Sequence, residues 1–523
     1  MFAAAALLLL NASLTFGNVW PTPKIRWENA LSVELAVCVL LLAVAHQRAE
    51  RLARRLLPVL WVLLVAGHYL DVTAPGLYGR DFNLYWDSRH LGNVTAMLAR
   101  AVPVWQIVAA AASLVLIIAA VYLLARLALR HLAAAVQHRL ARLLLGSAAS
   151  LVIAVFALQQ LTSFAPAQPA FADPATGAYL RQARYVVAMT ATGGASPVLG
   201  DSPDFGTADL RDLDGADVVL VFLESYGAVT FDNPEFAEVL AGSRRNLEDA
   251  VGDAGRELIS AYAESPTFGA SSWLAHLSLL TGVKVTDQYE YTSLMASSRD
   301  TIVKAFSRGG YRTVALMPGM RQPWPEGAFY GFDEIYGRDL LAYEGPEFGW
   351  WGIPDQFALA RLDALERSAA SRAPLFAVFP TSTSHAPFGP VPPFLPEWSR
   401  ALQKDGYRPE DVASAAAPDL TDLAPSYLRS IAYGYDTLAG YIRDHAGENL
   451  VLIVIGDHQP PAAVSGRTAL RDVPVHVIAS RPELLRRLRE SGFHGGLAPV
   501  RPGAGEMHAL VPVFLEAFAA SGY

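Results

Sequence analysis

Apolar residues fall along this chain in two rhythms. Up to about residue 160 they form long stretches, near 2–18, 29–46, 56–74, 104–126 and 143–160, most of them close to the roughly 20 residues that cross a bilayer. Beyond residue 215 they come in short runs: ADVVLVFLES (216–225), RTVALMPG (312–319), PLFAVFPTS (374–382), NLVLIVIGD (449–457) and VPVHVIAS (473–480). Each short run ends in small or polar residues and reads as a buried strand. Helical patterns such as SRDTIVKAFSRGG (298–310) and APSYLRSIAYGYDTLAGYIRDHA (424–446) lie between them. Alternating strands and helices predict a mainly parallel central sheet covered on both faces. The expected architecture is an N-terminal α-helical membrane domain of five spans (1–160), a linker and juxtamembrane segment (161–214) and a C-terminal α/β domain (215–523).

Composition supports this division. At 523 residues and 52% hydrophobic content, the chain is too long for one ordinary domain and too apolar to be wholly soluble. The first stretch lacks a basic leading region and precedes four others, so it reads as a membrane helix rather than a signal peptide. HQRAERLARR (46–55) and the segment holding Arg126, Arg130, Arg139 and Arg142 follow the second and fourth stretches, which predicts that those loops are cytoplasmic. Alternation then puts everything after the fifth span outside the cytoplasm, in a multi-pass protein of the cell (inner) membrane with an extracytoplasmic, periplasmic domain.

Residues 1–160 carry 13 Lys/Arg against 6 Asp/Glu, and the remainder 28 against 43. A basic membrane part joined to an acidic domain argues against a nucleic-acid partner. The one cysteine, Cys38, lies in the second stretch, so the C-terminal domain has neither a disulfide nor a cysteine nucleophile. Two connecting segments are irregular: FAPAQPAFADPATGAY (164–179) and residues 191–214. A further loop, LYGRDFNLYWDSRH (77–90), mixes aromatic and charged residues and reads as interfacial, either as an aromatic anchor or as a surface presenting lipid. FGPVPPFLPEW (388–398) is an extended loop, because proline at that density excludes a helix.

The chemistry collects at strand ends. VLIVIGDHQPP (451–461) delivers Asp457 and His458 together, and LESYG (223–227) puts Glu224 at an equivalent position; the carboxyl ends of strands are where α/β proteins place ligands. SPTFGASSWLAHLSLLTG (265–282) supplies hydroxyls at the start of a helix, where free amides favour anions. TSTSHAPF (381–388) sets His385 beyond another strand. Taken singly, each has a structural reading as a cap or turn residue. Taken together they form an acid, a hydroxyl, an Asp-His pair and a further His.

This set resembles the alkaline phosphatase and sulfatase superfamily and, within it, membrane-anchored enzymes similar to lipoteichoic acid synthase, in which five spans precede a sulfatase-like domain. The resemblance implies one divalent ion, with Mn²⁺ preferred and Mg²⁺ or Zn²⁺ also open, held by Glu224, Ser272, Asp457 and His458. It implies that His385 meets a phosphoglycerol headgroup, and that MRQPWPEGAFYGFDE (320–334) supplies Arg321 and Trp324 to the same group.

Superfamily nucleophiles precede a Thr-Gly pair by nine residues, and one phosphodiesterase branch carries His four residues after the nucleophile. Counting back from Thr281 and Gly282 selects Ser272, with His276 in the matching place, while Thr267 and Ser271 remain alternatives. The synthases use Thr. The Pro-Ser-Arg context of formylglycine sulfatases is absent, as are the disulfides of phosphoethanolamine transferases. The implied function is metal-dependent transfer of phosphoglycerol or a similar phospho-headgroup from a membrane phospholipid to a glycan or lipid acceptor through a phospho-Ser intermediate. Hydrolysis with water as acceptor is the alternative, followed by phosphoethanolamine transfer and a non-catalytic sensor.

Overall fold

The structure, a computed structural model, describes residues 2–19, 22–44, 47–78, 82–88, 91–92, 95–96, 99, 103–162, 170–191, 199–206, 210–321, 324–369, 371–419, 421–466 and 468–519. The chain divides into two compact units, Met1–Ala195 and Ser196–Tyr523.

The first unit is helical: α1 (Phe2–Ala12), α2 (Val33–Val44), α3 (Gln47–Tyr78), α4 (Val104–Ala135), α5 (Arg139–Thr162) and α6 (Ala175–Ala191). Among the described residues three segments are long and apolar enough to cross a membrane: Arg55–Pro75, Val104–Ala135 and Arg139–Leu161. The first two predicted spans are instead helices of 11 and 12 residues. Polar chemistry ends the first of them. Asn11 Nδ2 donates to the Ala30 carbonyl at 2.8 Å and Asn11 Oδ1 accepts from the Ser32 amide at 3.0 Å, so α1 gives way to a turn tied to the start of α2. Val104, Trp105, Val108 and Leu114–Ile118 on α4 are all exposed, as an apolar surface facing lipid requires.

Part of the expected linker is regular. Residues 175–191 form α6, whose Tyr179 hydroxyl donates to the Leu63 carbonyl at 2.5 Å and whose Arg181 pairs with Asp71. Residues 163–169, 192–198 and 207–209 of that linker, and residues 79–81 and 89–90 of the aromatic loop, lie outside the described residues. Within that loop, Leu84–Asp87 forms a short helix capped by Asn83.

The second unit is built on one eight-stranded sheet. Its strands are β1 (Asp217–Leu223), β2 (Glu257–Glu264), β3 (Arg312–Leu316), β4 (Glu334–Tyr336), β5 (Leu375–Pro380), β6 (Leu450–Gly456), β7 (Asp472–Ala479) and β8 (His494–Gly495), in the order β8-β2-β7-β6-β1-β5-β3-β4. The five strands from β6 to β4 are mutually parallel. β7, one of the strands expected from sequence, runs antiparallel to β6. Among its described residues the 457–471 connection holds only the four-residue helix Ala462–Ser465, which is too little for the crossover a parallel neighbour needs.

Period-2 geometry splits the central strands between two cores. Val218, Leu220 and Phe222 of β1 join Val451, Ile453 and Ile455 of β6 on one face. Val219, Val221 and Leu223 join Leu450, Leu452 and Val454 on the other. The first face is covered in part by α8 (Ser272–Thr281) and α10 (Leu510–Phe518), the second by α7 (Pro234–Asp253) and α9 (Ala424–Asp444). Strands buried on both sides need no polar alternation, hence their unbroken apolar runs.

The leading end of β1 is held by charge. Asp217 accepts from Arg372 Nη1 and Nη2 at 2.8 and 2.6 Å, from Arg367 Nε at 3.0 Å and from the Leu375 amide at 2.8 Å. Burial opposes ionisation there, but the Arg372 hydrogen bonds, the Leu375 amide and the charges of Arg367 and Arg372 together hold the carboxyl below its usual range. Because its folded pKa lies below its unfolded value of about 3.9, the stability it contributes is fully present above that value. It is lost as pH falls through the folded pKa. Asp217→Asn in the full chain is expected to destabilise the domain by about 3 kcal/mol at pH 7, read by thermal unfolding. An Asn variant that matches the wild type at pH 7 would remove the ion cluster from the stability account.

Candidate active site

Register brings the two acids together. β1 and β6 pair in parallel from Asp217↔Leu450 to Leu223↔Gly456, so the next residues on each strand, Glu224 and Asp457, leave the sheet side by side. The crossing is tight. A Cβ at Gly456 would lie 1.8 Å from the Tyr226 carbonyl oxygen, and one at Gly227 would lie 1.9 Å from Gln459 Oε1; only glycine lets the two chain segments approach this closely.

The loop after β5 fixes Glu224 from its other side. The Glu224 amide donates to Thr381 Oγ1 at 3.0 Å, and its carbonyl accepts from Ser384 Oγ at 2.7 Å. That loop is itself capped by buried Asp355, which accepts from the Ser382 and Thr383 amides at 2.7 and 3.0 Å. Thr381, Ser384 and Asp355 were not singled out from sequence. The TSTS run preceding His385 was the signal for the two hydroxyls, since hydroxyl residues at a strand end commonly bond to backbone; Asp355 had none.

Ser272 opens α8, directly after Ser271 in the left-handed conformation (φ 70°). Its Oγ lies 2.9 Å from Glu224 Oε2 and 3.1 Å from His458 Nε2. His458 Nδ1 donates to the Gln459 carbonyl at 2.7 Å, which turns Nε2 toward the acids. This nitrogen stands 3.5 Å from Glu224 Oε1 and 3.7 Å from Asp457 Oδ2. One turn along α8, His276 Nε2 lies 3.8 Å from Asp457 Oδ2, and its ring lies against Phe222 with centroids 4.2 Å apart. Burial brings the His276 pKa down to about 4, so it is neutral at physiological pH. Of the other hydroxyls, Thr267 Oγ1 is buried without a hydrogen-bond partner and Ser271 is buried in the turn.

The donor set fits a divalent cation. One ligand atom from each of Glu224, Asp457 and His458 falls within 4.8 Å of the others. Asp457 Oδ2 is buried with no hydrogen-bond partner. Burial and the neighbouring charge of Asp457 push Glu224 well above the usual carboxylate range, whereas Asp457 is held low despite its burial, chiefly by His458. The orphaned oxygen and the crowded acids are both relieved by one positive ion in their midst.

His385 lies beside this group. Its Nδ1 donates to the Ala386 carbonyl at 2.8 Å, leaving Nε2 as an acceptor, and burial lowers its pKa to about 4. With Phe348, Trp350, Trp351, Gly352 and Thr383 it lines a small cavity, and its ring sits 4.2 Å from that of Trp351. Arg321 reaches the same wall: its Nε donates to the Trp350 carbonyl at 3.1 Å, and Nη2 lies 3.3 Å from where a Gly352 Cβ would be. Trp324 is placed elsewhere, packed on Tyr330 at 5.5 Å and against the core. The aromatic wall of the cavity is Trp350 and Trp351, whose sequence signal was the pair of tryptophans between glycines in GWWG.

Residues 272–474 match the Sulfatase family model, a span that includes Ser272, His385, Asp457 and His458 but not Glu224. No curated protein matches the chain in sequence. Among solved structures the chain is similar to a lipoteichoic acid synthase, LtaP, from Listeria monocytogenes (14% identity, TM-score 0.38, covering 60% of this chain and 78% of that one). It is also similar to the phosphoglycerol transferase GacH of Streptococcus pyogenes (12%, 0.34, 53% and 78%) and to the lipooligosaccharide phosphoethanolamine transferase EptA of Neisseria meningitidis (14%, 0.43, 91% and 89%).

Mn²⁺ titrated into the metal-stripped full chain is expected to bind at one ion per molecule and to raise the unfolding midpoint, by about 2.7 kcal/mol of stability at a hundredfold excess over the dissociation constant. Asp457→Ala is expected to lose both effects. Full occupancy in that variant would remove Asp457 from the ligand set.

Proposed function

Because the C-terminal domain belongs to the alkaline phosphatase and sulfatase superfamily, we propose that this enzyme transfers phosphoglycerol, or a similar phospho-headgroup, from a membrane phospholipid to a glycan or lipid acceptor. The observation that carries the reading is the position of Ser272: a hydroxyl at a helix start, 2.9 Å from one buried acid and 3.1 Å from a buried imidazole nitrogen. Glu224, Asp457, His458 and Ser272 would hold one divalent ion, Mn²⁺ in preference to Mg²⁺ or Zn²⁺. When bound, that ion supplies positive charge that favours the alkoxide of Ser272 and offsets charge on phosphoryl oxygens.

Ser272 Oγ attacks phosphorus. The bond from phosphorus to the lipid oxygen breaks, and the lipid leaves as an alcohol after taking up a proton. Free amides at the first turn of α8 favour negative charge on the transferred group. The acceptor hydroxyl then attacks the phospho-Ser, gives up its proton and restores the Ser272 hydroxyl. His385, neutral at pH 7 with Nε2 open, is suited to accept a hydrogen bond from a substrate hydroxyl or to take the proton of an attacking one. Arg321, against the cavity wall, favours an anionic headgroup; Trp324 belongs to the packing beside it. Water in place of the acceptor hydroxyl would give a hydrolase from the same groups.

The proposed setting is the cell (inner) membrane, crossed five times, with the C-terminal domain periplasmic. The two basic loops lie on the cytoplasmic side.

Two experiments test the reading. Phospholipids labelled in the headgroup are expected to leave label covalently on Ser272 and to pass it to an added acceptor. Ser272→Ala abolishes both the adduct and turnover, and Thr267→Ala retains most activity. An adduct on Thr267 or Ser271 would move the nucleophile, and label found only in water-released product would make the enzyme a hydrolase. Separately, a reporter fused after residue 170 is expected to behave as extracytoplasmic; cytoplasmic behaviour would overturn the topology.

A further inference from the structure

Ser225 lies between the two acids and has no part in the chemistry above. It is 1% exposed and adopts φ 57°, a left-handed conformation uncommon for a residue with a side chain. All three of its polar groups are engaged. The amide donates to Asp457 Oδ1 at 2.8 Å, the hydroxyl donates to Glu224 Oε1 at 3.0 Å, and the carbonyl accepts from the Tyr427 hydroxyl at 2.9 Å. Tyr427 is fully buried on α9, its ring against Phe388 and Phe236 at centroid distances of 5.1 and 6.3 Å, so the hydroxyl is aimed by packing.

These bonds sort the carboxylate oxygens. Asp457 Oδ1 receives two amides, those of Ser225 and His458, both at 2.8 Å, while Oδ2 has no partner. Glu224 Oε1 receives the Ser225 hydroxyl, and Oε2 faces Ser272. An extended residue at 225 would aim its amide and its side chain to opposite sides of the chain, whereas the left-handed turn brings both onto the acids. Glycine would adopt that turn without steric cost but would bring no hydroxyl.

We propose that Ser225, locked in its turn by Tyr427, is a positioning residue that fixes which oxygen of Glu224 and which of Asp457 is presented to a divalent ion. This rests on the metal-site reading above, and the experiment separates the two. Mn²⁺ dissociation constants are measured by chelator competition on the full-length wild type, Ser225→Gly and Tyr427→Phe, alongside unfolding midpoints of the metal-free proteins.

Ser225→Gly keeps the turn and loses the hydroxyl, so its affinity is expected to fall about 10–100-fold, the range typical of residues that orient metal ligands, with a metal-free midpoint equal to or above that of the wild type. Tyr427→Phe is expected to weaken binding about tenfold. Binding by both variants within about twofold of the wild type, well short of that range, would overturn the inference while leaving the metal site in place. A loss of affinity matched by a fall in the metal-free midpoint of both variants would also overturn it, because it marks a structural role. A wild type that binds no divalent ion would overturn the metal site itself, and the inference with it.

Discussion

Two carboxylates buried at adjoining strand ends repel each other, and the surrounding structure is arranged around that repulsion. Parallel pairing of β1 and β6 to Leu223↔Gly456 fixes the spacing of Glu224 and Asp457. A one-residue slip would turn one acid to the opposite face of the sheet. Glycines at 227 and 456 permit the close crossing. Asp457 has become the better satisfied of the two, through backbone amides and His458, whereas Glu224 is left with the cost of its own burial. Such an arrangement is under strain as a purely protein assembly and relaxed around a cation.

The scaffold makes that arrangement rigid. β1 and β6 lie inside two packed layers, one on each face, and a sheet held in this way cannot move its strand ends apart without opening a core. Function is then added by elements entering from both sides. α8 brings Ser272 and His276 from the first face, α9 brings Tyr427 from the second, and the loop after β5 brings Thr381, Ser384 and His385 from the neighbouring strand. Three independent segments thus converge on ligands that come from two others, which places the precision of the site in tertiary packing.

That distribution explains what the sequence disclosed. The five apolar runs are strands because residues buried on both faces leave an unmistakable pattern, and their ends carried Glu224, Asp457 and His458, the cluster that could hold a metal ion. β2 was missed, since ELISAYAE has charged ends and an internal Ser and Tyr that dilute the apolar signal. The direction of β7 was not legible either, because it depends on the length and shape of a connection rather than on the strand. Ser272 was reached by counting from Thr281 within a single helix, a local relation that sequence preserves. Trp351, Ser225 and Tyr427 meet His385, Asp457 and the Ser225 backbone, respectively, through contacts between residues far apart in the chain, and no spacing announces those. Helix lengths in the first unit were overestimated where Asn11 turns its side chain to backbone groups of a later segment, an event a hydropathy pattern does not contain.

β1 itself shows how the two kinds of buried acid differ. Asp217 at its start and Glu224 just past its end are almost equally buried, at 4% and 5% exposure, yet their carboxyl pKa values move in opposite directions. Asp217 is met by the guanidinium groups of Arg367 and Arg372, so its charge is balanced within the chain. No arginine or lysine among the described residues pairs with Glu224; its partners are hydroxyls, a second acid and an imidazole nitrogen. An acid kept for stability carries its counterion with it, because leaving a buried charge unpaired is costly. An acid whose counter-charge is missing from the fold is placed to receive it from outside, and the same strand thereby serves as an anchor at one end and as half of a candidate metal site at the other.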